Sequence, residues 1–320
     1  MLITHEHFKK IYENNQIYGT TLVLILDNNC NAACRVCIAK HAFKSPLCKQ
    51  YCEKFTECRY SRCCDHIASD DEFYSSVRSI LNTINSSELS IMISGGEPTL
   101  STRFRAVFDI LKEYKNKITN IFMETNGANL LNDAVKEILL EHNVDIILSR
   151  YNHIEADNMQ EFGFISSPVT NDVFKTILET YGKKVQVNSI LLKKFIPDAE
   201  ALLEVAKNMK ALGANSHGFV EIMADTTLES SNRELIQYYR EQLVTADELY
   251  SQLTKDPEVE VISDFRDEVS GITQYKKADL TFFITYCKMD KKYPQTPNNF
   301  YRKFLVMPSG EIGIDGIEKE

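Results

Sequence analysis

Two kinds of apolar pattern alternate along the first two thirds of this chain. Short, nearly continuous runs such as Thr21-Leu22-Val23-Leu24-Ile25-Leu26 read as buried strands, and the spacing predicts strands over 19–26, 89–93, 118–123, 144–148, 184–191 and 219–223. Between them the period lengthens to that of a helix. Phe104, Val107, Phe108, Ile110, Leu111 and Tyr114 mark a helix over 104–115, with others at 71–84 and 132–141. Thr170-Asn171-Asp172 reads as an N-cap for 173–181, and Pro197-Asp198 opens a helix running to 212. Six strand–helix units predict an α/β fold with a parallel sheet, a partial (β/α)6 TIM-type barrel, over 1–230. Beyond that the pattern changes. A helix over 233–253 gives way to short strands at 259–263, 280–286, 303–307 and 311–314, with Pro308-Ser309-Gly310 as a hairpin turn. Residues 231–320 are therefore expected to form a small C-terminal β-rich extension.

Polar residues follow the strands where a barrel gathers its reactive groups, at the carboxyl ends. The first strand runs into Cys30-x3-Cys34-x2-Cys37 among Asp27, Asn28, Asn29 and Asn31. Three thiolates leave one iron of a four-iron cubane without a protein ligand, and an open iron is a reactive one. Structural zinc normally closes its shell with four ligands in paired spacings. Three cysteines packed as small hydrophobes do not account for the polar company. The second strand runs into Ser94-Gly95-Gly96-Glu97-Pro98-Thr99, whose glycines allow close backbone approach. The third ends in Glu124-Thr125-Asn126-Gly127 and the fourth in Ser149-Arg150, while the fifth carries Asn188 and the sixth Glu221. Six consecutive strands delivering polar residues to one end predict a single functional rim.

The cysteine triad followed one strand–helix unit later by Gly-Gly-Glu-Pro resembles the radical S-adenosylmethionine (radical SAM) superfamily. The resemblance implies a [4Fe–4S] cluster on Cys30, Cys34 and Cys37, with S-adenosylmethionine (SAM) chelating the open iron. Gly95, Gly96 and Glu97 would take the SAM amine, and Ser149 or Arg150 its carboxylate, Arg by a charge-assisted contact. Asn126 and Asn188 suit the ribose hydroxyls, since an amide donates and accepts at once. Val36 stands where the family often has an aromatic, at a position contacting adenine largely through backbone. The implied chemistry is one-electron cleavage of SAM to methionine and a 5′-deoxyadenosyl radical, which abstracts hydrogen from a substrate. An electron donor such as flavodoxin or ferredoxin is implied as a partner. No individual catalytic residue is assigned.

Composition agrees with this picture. A net charge of −9 gives no basic footprint for nucleic acid. The start of the chain has no apolar signal core, and no stretch nears the roughly eighteen apolar residues of a membrane span, so a cytoplasmic protein is expected. Nine cysteines in such a chain point to metal or redox chemistry. Five of them, Cys48, Cys52, Cys58, Cys63 and Cys64, crowd an insertion over 48–64 and suggest further zinc or a second iron–sulfur cluster. The tail resembles the SPASM or twitch extensions of some radical SAM enzymes, with Cys287 matching the first cysteine. Asp315 stands where the second would fall, so a strand-bearing cap that has lost its cluster is expected. The expected substrate is a small metabolite. A ribosomally made peptide is the alternative, although no leader-binding domain is read before Thr21. A non-catalytic electron carrier would need neither the Gly-Gly-Glu turn nor the rim.

Overall fold

A computed structural model describes residues 2–3, 20–37, 68–84, 89–222, 233–266, 270–287, 303–310 and 312–315. Its strands are β1 (Leu2–Ile3), β2 (Thr20–Ile25), β3 (Leu89–Ser94), β4 (Ile118–Thr125), β5 (Asp145–Arg150) and β6 (Val185–Ile190). They continue with β7 (His217–Val220), β8 (Val259–Arg266), β9 (Ser270–Lys277), β10 (Leu280–Cys287), β11 (Lys303–Val306) and β12 (Ile312–Asp315). The helices are α1 (Asp70–Thr83), α2 (Phe104–Glu113), α3 (Asp133–Glu141) and α4 (Glu155–Phe162). They are followed by α5 (Asn171–Tyr181), α6 (Ala199–Ala211), α7 (Arg233–Gln242) and α8 (Ala246–Leu253).

The described strands make one twelve-stranded sheet in the order β1-β12-β11-β2-β3-β4-β5-β6-β7-β10-β9-β8. From β11 through β10 every neighbouring pair is parallel. The six strands read from the sequence are the middle of this run, in chain order. The strands expected in the C-terminal extension lie in the same sheet: β10 continues the parallel set beside β7, and β11 continues it beside β2. Pro308-Ser309-Gly310 does turn β11 back onto β12, with Gly310 at φ 75° donating its N–H to the Met307 carbonyl at 2.8 Å.

The period-2 alternation of each strand sorts its side chains between two faces. One set, including Leu22, Leu24, Ile91, Ile93, Ile121, Met123, Ile146, Leu148, Val187 and Phe219, joins the helices in the main core. There it meets Phe73 and Val77 of α1, Val107 and Phe108 of α2, Ile138 of α3, Phe174 of α5 and Val205 of α6. The other set faces inward. Val23, Ile25 and Met92 form a separate apolar cluster with Phe122, Leu305 and Met307, all from strands or the residue after β11. Helices on one side and a self-packed inner face on the other are the layering of a partial TIM-type barrel.

Arg103 fastens the rim of this sheet. Its guanidinium donates to the carbonyls of Leu26 at 3.1 Å, Pro308 at 3.0 Å and Ala68 at 2.5 Å, and its Nε to Asp70 at 2.8 Å. One buried fork thus ties the end of β2, the start of α1 and the turn after β11.

Strands β1 and β9 were not among those expected, and two helical regions also depart from the sequence expectation. The single helix over 233–253 is two, α7 and α8, because Thr245 and Glu248 form a capping box that starts a new helix. Helix α4 was not expected at all. Its buried side chains are Asn158, Glu161 and Phe162, so its inward face carries almost no apolar signal. Cys48, Cys52, Cys58, Cys63 and Cys64 lie outside the described residues.

Candidate active site

The two sequence motifs meet backbone to backbone. Gly96 N–H donates to the Asp27 carbonyl at 2.9 Å, and Glu97 N–H to the Asn29 carbonyl at 2.6 Å. A Cβ on Gly96 would fall 2.1 Å from the Asn29 oxygen, and one on Gly95, at φ 144°, 2.6 Å from the Asp27 oxygen. Both glycines are required here by the cysteine loop itself, whereas the sequence suggested close approach of a ligand.

A second set of bonds holds the loop from the other side. Ala33 N–H donates to the Phe162 carbonyl at 2.8 Å, Ile165 N–H to the Asn31 carbonyl at 2.7 Å, and Asn31 Nδ2 to the Ser166 carbonyl at 2.9 Å. These partners are the end of α4 and the residues after it, so the helix missed in the sequence grips the cysteine loop. Ala32 and Val36 are buried against Tyr151, Phe162, Leu192, Ile222 and Tyr239, with Cys30 and Cys34 packed on that cluster. Burial pushes the Tyr151 hydroxyl well above its ordinary range, and the neighbouring Cys34 adds to the rise. Tyr239 is likewise raised by burial, with Cys37 adding.

Cys30, Cys34 and Cys37 are each partly exposed. Among the described residues no three Cys, His, Asp or Glu side chains converge tightly enough for a single metal ion. A cubane asks for something different, since each thiolate binds its own iron and the sulfurs need not meet at one point. Three soft donors from one loop, partly exposed and backed by an aromatic wall, fit that group better than a lone zinc.

Glu97 is fully buried and its carboxylate is saturated. Oε1 accepts from Thr99 Oγ1 at 2.6 Å, Thr125 Oγ1 at 2.7 Å and Thr99 N–H at 3.3 Å, and Oε2 accepts from Asn126 N–H at 2.8 Å. Burial pushes this carboxyl up while these four donors pull it down. Thr125 lies on the helix side of β4, which puts the Glu97 carboxylate on that side as well. Asn126 is committed to the cysteine loop: its Nδ2 donates to Asn31 Oδ1 at 2.9 Å and stands 3.8 Å from Cys30 Sγ.

The remaining expected residues divide by face. Ser149 and Asn188 are cross-strand neighbours on the inner face, and Gln186 Nε2 donates to Asn188 Oδ1 at 2.9 Å. A Cβ on Gly218 would meet Asn188 Oδ1 at 2.7 Å and the Phe283 ring at 2.3 Å, so β7 has glycine where those side chains need room. Arg150 points the other way. It is 2% exposed, stacks 4.5 Å above the Phe174 ring, and donates to the Val169 carbonyl at 3.1 Å and to Asn171 Oδ1. Burial draws its guanidinium down to about 10. Ser149 and Asn188 therefore share the inner face, the two glycines lie against the cysteine loop, and the Arg150 and Glu97 side chains are turned to the helix side. Glu221 is turned to α8, whose first N–H, from Ala246, it accepts at 2.7 Å.

No protein-family model matches the sequence, and no curated protein sequence is similar to it. Solved structures do match. SuiB from Streptococcus suis superimposes over 99% of this chain and 66% of its own, at 16% identity and a TM-score of 0.51. The enzyme anSMEcpe, with bound AdoMet and a Cp18Cys peptide, matches 64% of this chain and 51% of its own at 19% identity and a TM-score of 0.46. Coproporphyrinogen III oxidase (HemN) from Escherichia coli, described as a radical SAM enzyme, matches 78% and 54% at 11% identity and 0.46. The chain thus spans about half to two thirds of the length of these structures. A partial barrel carrying a cysteine loop against a Gly-Gly-Glu turn is the architecture at hand, and its fold is similar to that of SuiB.

Proposed function

We propose that this chain is a radical SAM enzyme that holds a [4Fe–4S] cluster on Cys30, Cys34 and Cys37 and binds SAM over the inner rim. The observation that supports the reading is the junction of Gly95-Gly96-Glu97 with the cysteine loop, because it holds that turn against the segment carrying three thiols. Glu97 and Asn126 hold that junction in shape. The carbonyls of Gly95 and Gly96 accept from the SAM amine, Ser149 meets its carboxylate, Asn188 meets the ribose, and the Val36 backbone borders the adenine. A reduced cluster held by Cys30, Cys34 and Cys37 would supply one electron for reductive cleavage of bound SAM, and with it the hydrogen-abstracting chemistry. The apolar inner cluster of Val23, Ile25, Met92 and Phe122 excludes water from below that rim.

The substrate in this reading is a small metabolite, the electrons come from a flavodoxin- or ferredoxin-class donor, and Cys48, Cys52, Cys58, Cys63 and Cys64 hold further metal. Anaerobic reconstitution tests the cluster assignment. Wild type is expected to bind about four more irons per chain than a variant with Cys30, Cys34 and Cys37 all changed to Ala. Equal iron in the two proteins would contradict the assignment, whatever the other cysteines hold.

A further inference from the structure

Glu97, in the turn after β3, and Glu124, near the end of the neighbouring β4, lie on opposite faces of the sheet. Glu97 is sealed on the helix side with four donors on its carboxylate, which matches the roughly four lone-pair sites a carboxylate offers. An ammonium arriving there would have to displace buried hydrogen bonds. Glu124 has the other parity on β4. It sits between Met123 and Thr125, both buried on the helix side, and shares its face with Phe122 of the inner cluster. It is partly exposed, and Ser94 Oγ donates to its Oε2 at 3.2 Å. Ser94 is the residue immediately before Gly95, so this carboxylate stands beside the Gly95-Gly96 turn. Ile25, Ser94, Ser149 and Asn188 share the inner face near the carboxyl ends of their strands and carry no charge, while the nearby carboxylate of Asp27, just past β2, accepts from Asn29 N–H at 2.8 Å within the cysteine loop.

We infer that Glu124, and not Glu97, supplies the negative charge that meets the α-ammonium of SAM, with Ser94 orienting it and the Gly95 and Gly96 carbonyls completing the shell. The inference rests on the SAM-binding reading above and names its counter-charge. Backbone carbonyls alone leave an ammonium short of neutralisation in a site walled by apolar residues, whereas a carboxylate supplies a charge-assisted bond. Glu97 is then a positioning residue that locks the ends of β3 and β4 together.

Equilibrium dialysis of the anaerobically reconstituted protein tests this, using SAM and a SAM analogue lacking the α-amino group. Glu124→Gln is expected to weaken SAM binding about tenfold or more, while binding of the deaminated analogue stays as in wild type. Glu124→Asp, which keeps the charge on a shorter arm, is expected to recover part of the loss and serves as the test if the Gln variant does not fold. Unchanged SAM affinity in the Gln variant overturns the inference, as does an equal loss for both ligands. Wild type that binds no SAM at all overturns the underlying reading instead, so the two failures are separable.

Discussion

Gly96 concentrates the argument at the scale of single residues, because its missing side chain is what allows the cysteine loop and the strand turn to touch. Gly96→Ala places a methyl 2.1 Å from the Asn29 oxygen, against backbone that has no side chain to swing aside. The expected result is a destabilisation of about 2 kcal/mol or more with reduced iron uptake, read by thermal unfolding and iron assay. Unaltered iron and stability would show the junction to be loose. The sequence marks Gly95, Gly96 and Glu97 through close approach of a ligand, and the cysteine loop opposite is a further reason for the two glycines. Whether a glycine faces ligand or backbone depends on which loop lies opposite, and local sequence does not carry that. The same limit applies to Arg150 and Glu124. Adjacent polar residues at a strand end look alike in a sequence, and a shift of one position sends the side chain to the other face.

Helices α4, α7 and α8 show what governs legibility at the scale of elements. The six barrel strands and the helices α1, α2, α3, α5 and α6 were readable because each buries a continuous or periodic apolar set. Helix α4 buries Asn158 and Glu161 instead. Asn158 donates to the carbonyls of Asn152 and Ile154, and Glu161 accepts from Tyr238 at 3.0 Å and from Lys194. An inward face built from such bonds leaves no hydrophobic period to find. The break between α7 and α8 was legible in principle, since Thr245-Ala246-Asp247-Glu248 spells a capping box. Thr245→Ala removes the side-chain acceptor for Glu248 N–H and is expected to cost about 1 kcal/mol in urea unfolding. A cost near zero would mean that α8 is held by its buried Leu249 and Leu253 alone.

At the scale of the molecule, the described strands form a single sheet whose parallel run extends beyond the six strands read from the sequence, since the tail strands β10 and β11 flank that run. Pairings of such long sequence separation leave no local trace, so β8, β10, β11 and β12 were legible as strands, whereas β9 and the placement of the tail strands were not. One buried group in this sheet sets a pH response of the fold. His217 is buried on the helix side, with Nε2 2.9 Å from Ser189 Oγ, and desolvation holds its imidazole down to about 3. The unfolded chain takes up that proton near its ordinary pKa of about 6.5 and the folded chain does not, so the unfolded state binds more protons below that pH. Stability is then fully present above about pH 6.5 and falls by roughly 1.4 kcal/mol per unit on acidification toward 3. Denaturant unfolding of wild type and His217→Asn between pH 7 and 5 should show a shallower decline in the variant, and parallel curves would remove His217 from the account. Formation of 5′-deoxyadenosine from SAM by the anaerobically reduced protein is the decisive measurement. Wild type is expected to form it, and the variant with Cys30, Cys34 and Cys37 changed to Ala to form none; equal production by both, or none from cluster-loaded wild type, would contradict the account.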